Sequence, residues 1–422
     1  MTFLRGVSTA SSLNGIEPGM FPFDVSSLLA RRAAQSDEGA IVRMSQRARD
    51  LRAKGQDIAS LTIGEPDFDT PLHIQAAATE AMRKGLTHYS PVAGIADLRQ
   101  ALAKKLKDEN GLDYAASEIV IANGAKQAIA NAVLALIEPG DEVILLSPYW
   151  VSYEITVRLA SGIPVVVKAG VEENFKAPPA RIAAALTERT KLLILNSPNN
   201  PTGAVWTKAE LETLAQVVVS HPRLMVLSDE IYEYILFDGK MTSFASLPGM
   251  RERAITVNGF SKSFAMTGWR LGYSAGPAPL AVAMARLQSG ITAGANSFVQ
   301  HAALTALSSP RDDVETMRRR YQARRDIVVS ALTAIPGLRL APIPATFYAF
   351  PNVGAFIGRK AGNHVMDSVE TLCDWLLEEM GVAIVPGSAF GDPSCIRLSF
   401  ATGEAELEKA LARFAGGLQR LV

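Results

Sequence analysis

The sequence has few cysteines, no long apolar segment and no excess of charge of either sign. Its two cysteines, Cys373 and Cys395, are too few for a disulfide framework and lack the spacing of metal ligands. We therefore expect a reducing compartment, the cytoplasm, and no bound metal. No apolar run approaches the roughly 18 residues that cross a bilayer, so we expect no membrane insertion.

The start of the chain, MTFLRGVSTASSLNG, lacks the apolar stretch of a secretory signal. We assign residues 1–25 to an N-terminal extension without fixed structure. The segment is Ser-rich and acid-poor, which leaves a transit peptide as the alternative.

The charge balance argues against nucleic acid as a partner. The 42 lysines and arginines match the 42 aspartates and glutamates, and the basic residues are dispersed apart from short runs. The motifs G-x-G-x-x-G and G-x-x-x-x-G-K-[ST] are both absent. These absences argue against a dinucleotide- or nucleotide-binding enzyme.

Alternating helix and strand patterns from about residue 70 predict an α/β fold. The stretch SEIVIANGAKQAIANAVLALIEPGDEVILLSP contains strand, Gly turn, helix, Pro-Gly break and strand, which form one βαβ unit with parallel strands. Further short apolar runs, KLLILN, LMVLSD, AITVNG and LGYSAG, are typical of a doubly wound layer. Upstream, DTPLHIQAAATEAMRKG predicts a helix that Thr70 caps and Gly85 ends.

Length and a change of pattern predict two domains. With 422 residues, 48% of them hydrophobic, the chain can bury a large core and a smaller one. After residue 300 a long charged helix and brief strands such as TFYAFP and IRLSFA replace the regular alternation. We assign residues 61–300 to a large domain, and residues 26–60 together with 301–422 to a small α+β domain.

Polar side chains follow three of the predicted strands at their carboxyl ends, where sheets of this kind bind ligands. Lys262 comes shortly after AITVNG. Asp229 ends LMVLSD, Tyr232 follows three residues later, and Asn200 comes after LLILN. A fourth strand end presents Gly124 at a helix start, where free N–H groups and the helix dipole attract phosphate. Taken alone, Lys262 has the alternative of a solvated loop lysine.

These groups match the atoms of pyridoxal 5′-phosphate (PLP). Lys262 offers an amine to its aldehyde, and Asp229 offers an anion that keeps its ring nitrogen protonated. Asn200 and Tyr232 can hydrogen-bond its ring hydroxyl. Its phosphate group would be held by the backbone amides near Gly124 and Ala125 and by the planar guanidinium of Arg270.

Several stretches, spread over about residues 40–420, carry a family resemblance. They are IGEPDFDTP, THYSPVAGIADLR, GDEVILLSPYWVSY, NSPNNPTGAV, DEIYEY, GFSKSFAMTGWRLGY and IRLSF. Together they resemble the PLP-dependent class I aminotransferases of fold type I, and specifically their bacterial aspartate aminotransferase branch. The resemblance implies a large PLP-binding domain with a mostly parallel seven-stranded sheet sandwiched by helices, a small α+β domain, and a homodimer with shared active sites.

The resemblance also implies roles for further residues. Trp150 would stack on the cofactor ring, with a core tryptophan as the alternative. Tyr89 would cross the dimer interface to the partner's phosphate group. Arg397 would clamp the substrate α-carboxylate, assisted by Asn200 and the Gly64 backbone. The alternative for Arg397 is an exposed surface charge, because strand alternation places its side chain on the face opposite that of its apolar neighbours.

The choice of substrate side chain depends on Lys126. One branch of the family binds the side-chain carboxylate of a dicarboxylic substrate with an arginine downstream of the lysine that corresponds to Lys262. In that region this chain has GITAGANSF, which contains no arginine. The branch that this sequence resembles uses a lysine after the phosphate-binding turn, which is Lys126 here; an exposed first-turn lysine is the alternative. Where one branch has a serine three residues before the catalytic lysine, this chain has Gly259. We expect Ser261 or backbone to bind phosphate in its place.

The resemblance implies transamination between aspartate and 2-oxoglutarate by a ping-pong mechanism, with Lys262, Asp229 and Tyr232 as catalytic residues. Prephenate or aromatic oxo acids are alternative substrates. A PLP-dependent lyase or synthase would have nearly the same constellation and is a further alternative. A PLP-binding regulator is disfavoured, because the segment ahead of the fold is too short for a DNA-binding module.

Overall fold

The computed structural model describes residues 25–34 and 39–422. The chain divides into two compact units, Met1–Asp37 and Glu38–Val422. In the first unit, Val25–Leu28 form a 3₁₀ turn and Arg31–Ala34 form helix α1. The predicted N-terminal extension, residues 1–25, lies outside the described residues except for Val25. The predicted domain boundaries near residues 60 and 300 stay predictions.

The second unit contains the remaining helices and all strands of the described residues. Its helices are α2 (Ala40–Ala53), α3 (Leu72–Arg83), α4 (Ala96–Asn110), α5 (Ala125–Leu136), α6 (Ser152–Leu159), α7 (Pro179–Ala184), α8 (Lys208–Ser220), α9 (Ala278–Ile291), α10 (Ser297–Ser308), α11 (Asp312–Thr333), α12 (Val369–Met380) and α13 (Glu404–Gln419). Its strands are β1 (Ala59–Ser60), β2 (Ile119–Ala122), β3 (Glu142–Ser147), β4 (Ile163–Lys168), β5 (Thr190–Asn196), β6 (Met225–Asp229), β7 (Ala254–Gly259), β8 (Gly272–Ala275), β9 (Tyr348–Ala349), β10 (Lys360–Ala361), β11 (His364–Val365), β12 (Val382–Ala383), β13 (Val385–Pro386) and β14 (Ile396–Ser399).

Seven strands form the central sheet in the order β2-β8-β7-β6-β5-β3-β4. Only β8 runs against the others, pairing antiparallel with β2 and β7. The predicted α/β class with a mostly parallel sheet is therefore confirmed. The predicted βαβ unit of β2, α5 and β3 has parallel strands, but four other strands lie between them in the sheet.

Helices cover both faces of this sheet, because its strands are apolar on both sides. In β5, Leu193 and Leu195 enter a core with α3, α4, α8 and α10. Leu192 and Ile194 enter a second core with α5, α6 and α9 on the other face. Side chains of one strand thus alternate between two cores. Because both faces are covered, the carboxyl edge of the sheet is where ligands can approach.

A third core joins α2 and β1 to α11–α13 and the short strands after residue 340. Here β14 pairs antiparallel with β13 and β9, and β1 pairs parallel with β12. Arg397 lies on β14 and Tyr348 on β9. These two short strands bring both side chains to the carboxyl edge of the central sheet.

The predicted cap of α3 is wrong. Pro71 occupies the N-cap position, and the Thr70 hydroxyl donates instead to Ala265 O at 2.6 Å. Thr70 therefore connects the start of α3 to the turn that follows Lys262. Among the described residues, no helix combines the length and apolar character that crossing a bilayer requires.

Candidate active site

A cavity of about 510 Å³ opens beyond the carboxyl ends of β5, β6 and β7. Most of the residues that the sequence singles out line it: Gly64, Ala125, Lys126, Trp150, Asn200, Asp229, Tyr232, Ser261, Lys262, Arg270 and Arg397. The other lining residues are Ile41, Ile63, Glu65, Tyr153, Asn196, Ile231, Thr267 and Tyr348. Residues distant in sequence therefore share one concave site at the expected edge of the sheet.

Lys262 lies in the turn after β7 and points its amine into the cavity. Its Nζ donates to Gly64 O at 2.6 Å. Burial, with smaller contributions from the positive charges of Arg397 and Arg270, lowers the pKa of Lys262 to about 8, although the nearby acids Glu65 and Asp229 act to raise it. The solvated-lysine alternative does not describe this position. A lysine in such a pocket can lose its proton near physiological pH.

Asp229 ends β6 and is only 3% exposed. Its Oδ2 accepts from the Tyr153 hydroxyl at 2.6 Å, and its Oδ1 accepts from the backbone N–H of Ile231 at 3.2 Å. Burial raises the pKa of Asp229 to about 6, against the lowering by these two hydrogen bonds and by Lys262. A buried carboxyl of this kind is ready to pair with a cationic group in the cavity.

Arg397 is 2% exposed, so the surface-charge alternative is wrong. Its guanidinium donates to Thr62 O at 2.6 Å and to Asn200 Oδ1 at 3.3 Å, and it lies between the rings of Tyr348 and Phe390. Among the described residues, no carboxylate forms an ion pair with Arg397, and no group forms a hydrogen bond with its Nε. Burial lowers the pKa of Arg397, and the neighbouring phenols of Tyr348 and Tyr232 oppose this lowering. A buried cation without an acid partner is costly unless a ligand supplies the anion.

The start of α5 meets Arg270 at one end of the cavity. Gly124 precedes the helix with φ 81°, where a side chain would be strained, and an added Cβ would lie 2.6 Å from the Arg270 guanidinium. The amides of Ala125 and Lys126 are in the first turn and have no acceptor within the helix. Arg270 itself donates to Thr267 O at 2.9 Å. Amide donors and a guanidinium thus converge at a helix N-terminus, an arrangement suited to phosphate.

Lys126 and Trp150 form the neighbouring wall. The Lys126 amine lies 4.9 Å from the centre of the Trp150 ring, a cation–π contact. Burial and the nearby Arg270 lower the pKa of Lys126. Trp150 meets Tyr153 edge-on, with ring centres 5.5 Å apart. Lys126 is exposed, which agrees with the alternative of an exposed lysine in the first turn of the helix. It nevertheless also lines the cavity.

The lining groups give the cavity a positive balance. Four cationic side chains, Lys126, Lys262, Arg270 and Arg397, face two acidic ones, Glu65 and Asp229. This donor set fits a group with a phosphate and a protonatable ring, together with a carboxylate substrate. The chemistry of the residues present is therefore compatible with PLP.

Some predicted positions lie outside the cavity lining. Tyr89 is 95% exposed, and its predicted role at the partner's site stays a prediction. Gly259 ends β7, where an added Cβ would meet Gly272 Cα at 2.9 Å. This close approach of β8 explains the glycine in place of a serine. Ser261 lines the cavity and is buried, so it is available for the phosphate role assigned to it.

Two tyrosines were not found from the sequence. Tyr153 contacts Asp229 as described, and the Tyr348 hydroxyl lies 2.9 Å from that of Tyr232 and donates to Gly64 O at 3.3 Å. An added Cβ at Gly64 would lie 2.4 Å from this hydroxyl. Both tyrosines belong to quoted stretches, SPYWVSY and TFYAFP, but spacing does not reveal which tyrosine of each faces the site.

Comparisons with known proteins agree with this geometry. The family model described as aminotransferase class I and II matches residues 56–414. A bifunctional aspartate aminotransferase and glutamate/aspartate-prephenate aminotransferase from Petunia hybrida is 44% identical over 96% of this chain and 85% of its own length. An aspartate/prephenate aminotransferase from Cereibacter sphaeroides is 45% identical over 89% of this chain and 96% of its own. The crystal structure of the aspartate aminotransferase from Rhizobium meliloti superposes with a TM-score of 0.90 at 40% identity, covering 93% of this chain and 99% of the other.

Proposed function

The chain belongs to the aminotransferases of class I and II, and we propose that it transfers an amino group between aspartate and 2-oxoglutarate with PLP as its cofactor. The observation that carries this proposal is the pair of cationic side chains in one cavity, the partly buried Lys262 and the buried Arg397. Neither forms an ion pair with a carboxylate of the described residues. One is an amine with a lowered pKa and the other a clamp for a carboxylate, which are the two groups that amino acid chemistry requires.

The donor set of the cavity supports a specific assignment of cofactor contacts. Asp229 would hold the ring nitrogen, Asn200 and Tyr232 the ring hydroxyl, and Trp150 the ring face. The phosphate group would be held at Gly124, Ala125, Ser261 and Arg270. When bound, PLP supplies an aldehyde that captures the substrate amine and a cationic ring that withdraws electrons from its Cα.

Lys262 then serves as the base of the reaction. Its Nζ would take the proton from the substrate Cα and pass it to the former aldehyde carbon of the cofactor, and the second half-reaction would run both transfers in reverse. A pKa of about 8 leaves part of the amine neutral at physiological pH, so the base form is available. The hydrogen bond to Gly64 O at 2.6 Å orients the amine. Because donor and acceptor use these groups in turn, we expect ping-pong kinetics.

Substrate recognition is assigned to Arg397 and Lys126. Arg397, with Asn200 and the Gly64 backbone, would bind the α-carboxylate, and Lys126 would bind an acidic side chain at the other end. The relatives are named as aspartate and aspartate/prephenate aminotransferases, and these names support an acidic substrate. Prephenate is a second candidate acceptor, because it also carries a carboxylate remote from its oxo acid.

We place the reaction in the cytoplasm and in a homodimer, where Tyr89 would reach the phosphate of the partner's site. Its 95% exposure leaves the phenol free to extend away from its own chain. Sedimentation of wild type and Tyr89→Ala, together with PLP affinity, tests this: the variant should keep the dimer and bind PLP more weakly. Equal PLP affinity of wild type and variant would contradict the role of Tyr89 in phosphate binding.

The activity is tested with purified protein, PLP, 2-oxoglutarate and a panel of amino acids. We expect glutamate formation to be fastest with aspartate, and parallel lines in double-reciprocal plots of initial rates. A second assay supplies glutamate as donor and prephenate as acceptor. Release of pyruvate and ammonia without glutamate would identify a lyase and contradict transamination.

A further inference from the structure

Tyr153 lies on α6, directly behind the predicted ring-binding carboxylate. Its hydroxyl donates to Asp229 Oδ2 at 2.6 Å, and both side chains are almost completely buried. Its ring also packs at right angles to Trp150, the residue predicted to cover the cofactor ring. Tyr153 therefore touches two groups of the proposed cofactor site and is itself part of the cavity lining.

Among the described residues, Tyr153 is the one side chain that donates a hydrogen bond to the Asp229 carboxylate. Ile231 supplies a backbone N–H from the loop after β6, and Lys262 acts on the carboxyl from the turn after β7 as a nearby charge. Tyr232, on the same loop as Ile231, is a phenol whose own pKa burial raises well above the usual value.

The Tyr153 phenol stays protonated at any ordinary pH, so it donates its hydrogen to the Asp229 carboxylate. Burial, followed by the charge of Asp229, raises the pKa of its phenol well above the usual value. A hydrogen bond from a neutral phenol to a carboxylate favours the charged form of that carboxylate. Its effect opposes the burial that favours the neutral acid.

We propose that Tyr153 is a positioning residue that holds Asp229 as an oriented anion against the cofactor ring nitrogen. This inference rests on the proposed function, since it assumes PLP in the cavity. Without the hydroxyl, Oδ2 would lose its donor in a site from which water is largely excluded. Asp229 would then take up a proton at higher pH, and a protonated carboxyl cannot stabilise a cationic ring nitrogen.

The chain offers a matched control four residues away. The Tyr149 hydroxyl donates to Glu154 Oε2, also at 2.6 Å, and Tyr149 is also buried, but neither residue lines the cavity. Tyr149→Phe and Tyr153→Phe therefore remove the same kind of phenol–carboxylate hydrogen bond from the same segment. Only the second should affect the cofactor.

The test measures the PLP dissociation constant of the apo protein, by absorbance titration, as a function of pH. For Tyr153→Phe we expect PLP affinity about tenfold weaker at neutral pH, and a rise of affinity with pH that is displaced to higher pH. Tyr149→Phe should match wild type in both. Wild-type affinity and pH dependence in Tyr153→Phe, or an equal loss in both variants, would overturn the inference.

A double-mutant cycle separates positioning from a general packing role. In an Asp229→Asn background, Tyr153→Phe should cause no further loss of PLP affinity, because the carboxylate it acts through is gone. An undiminished tenfold loss in that background would overturn the inference. If wild type fails to bind PLP, the proposed function fails as well, whereas PLP binding without aspartate turnover contradicts only the proposed substrate.

Discussion

Two buried polar clusters lie on either side of the segment that follows β6, and they differ in how their charges are paired. The open site is the cavity around Asp229 and Lys262. The closed cluster, on the other side, consists of Lys105, Asn110, Ser228, Glu230, Glu233 and Ser243. Neighbouring residues of one strand end, Asp229 and Glu230, thus belong to different clusters.

Every charge in the closed cluster has a partner within the chain. Lys105 forms an ion pair with Glu233 at 2.5 Å, and both side chains are less than a tenth exposed. Asn110 donates to Glu233 at 2.9 Å and accepts from Lys105 at 2.8 Å. Glu230 accepts from two serine hydroxyls, and burial raises its pKa to about 7. Such a network contributes to stability and leaves little for a ligand to bind.

The open site has the opposite character. Arg397 and Lys262 donate to backbone and amide oxygens instead of carboxylates, so their charges are not neutralised within the described residues. Burying cations in this way costs stability, and the cost is recovered when anionic groups bind. Burial of polar side chains alone therefore does not indicate a ligand site, whereas charge that is unpaired around a cavity favours one.

Replacement of Lys262 should have the largest effect on activity. Lys262→Ala should reduce transamination by about a thousandfold or more, since it removes the base, while some PLP still binds. It should not lower the free energy of unfolding, because burial opposes the lysine charge in the folded state. Glutamate formation, PLP content and thermal unfolding measure these three quantities. Wild-type-like turnover would refute the role of Lys262.

The matching lysine of the closed cluster should give the reverse result. Lys105→Met leaves Glu233 buried without its cation and should lower the free energy of unfolding by about 3–5 kcal/mol. The turnover of the folded fraction should stay close to that of wild type. Urea unfolding and active-site-normalised rates test this pair of outcomes. A stable but inactive variant would place the closed cluster in the reaction.

Arg397 should show its effect on both substrates. Arg397→Gln removes the charged partner of the α-carboxylate and should lower kcat/KM by about a hundredfold for aspartate and for 2-oxoglutarate alike. The control is Arg324→Gln, because Arg324 is a buried arginine already paired with Asp67 at 2.7 and 2.8 Å. It should lose stability and retain kcat/KM. A loss confined to one substrate would contradict a shared α-carboxylate clamp.

The smallest effect is expected for side-chain recognition. Lys126→Gln should lower kcat/KM for aspartate by about fivefold and leave that for alanine nearly unchanged, because the lysine is partly solvated. Lys104→Gln, at an exposed position on α4, serves as the control. An equal loss for aspartate and alanine would assign Lys126 to the cofactor instead of the substrate side chain.

The parts of this molecule that were predictable are those that depend on local pattern. AITVNG coincides with β7, and LMVLSD and KLLILN each differ from their strands by one residue at the start. Parallel strands end at the same edge, so Asp229, Asn200 and Lys262 could be expected to lie near one another. Thr70 shows the limit of local reasoning. A good capping residue by type, it is bonded instead to a backbone oxygen nearly two hundred positions later in the chain.

By itself, the sequence determined the α/β class, the edge of the sheet at which the cavity lies and the residue types gathered there, because strand period and strand direction are local properties. The tertiary structure decided which tyrosine faces Asp229, which arginine is buried without an acid and which carboxylates are already paired. Those outcomes depend on contacts between segments far apart in the chain, and desolvation at each position is set only once all of these segments have packed together.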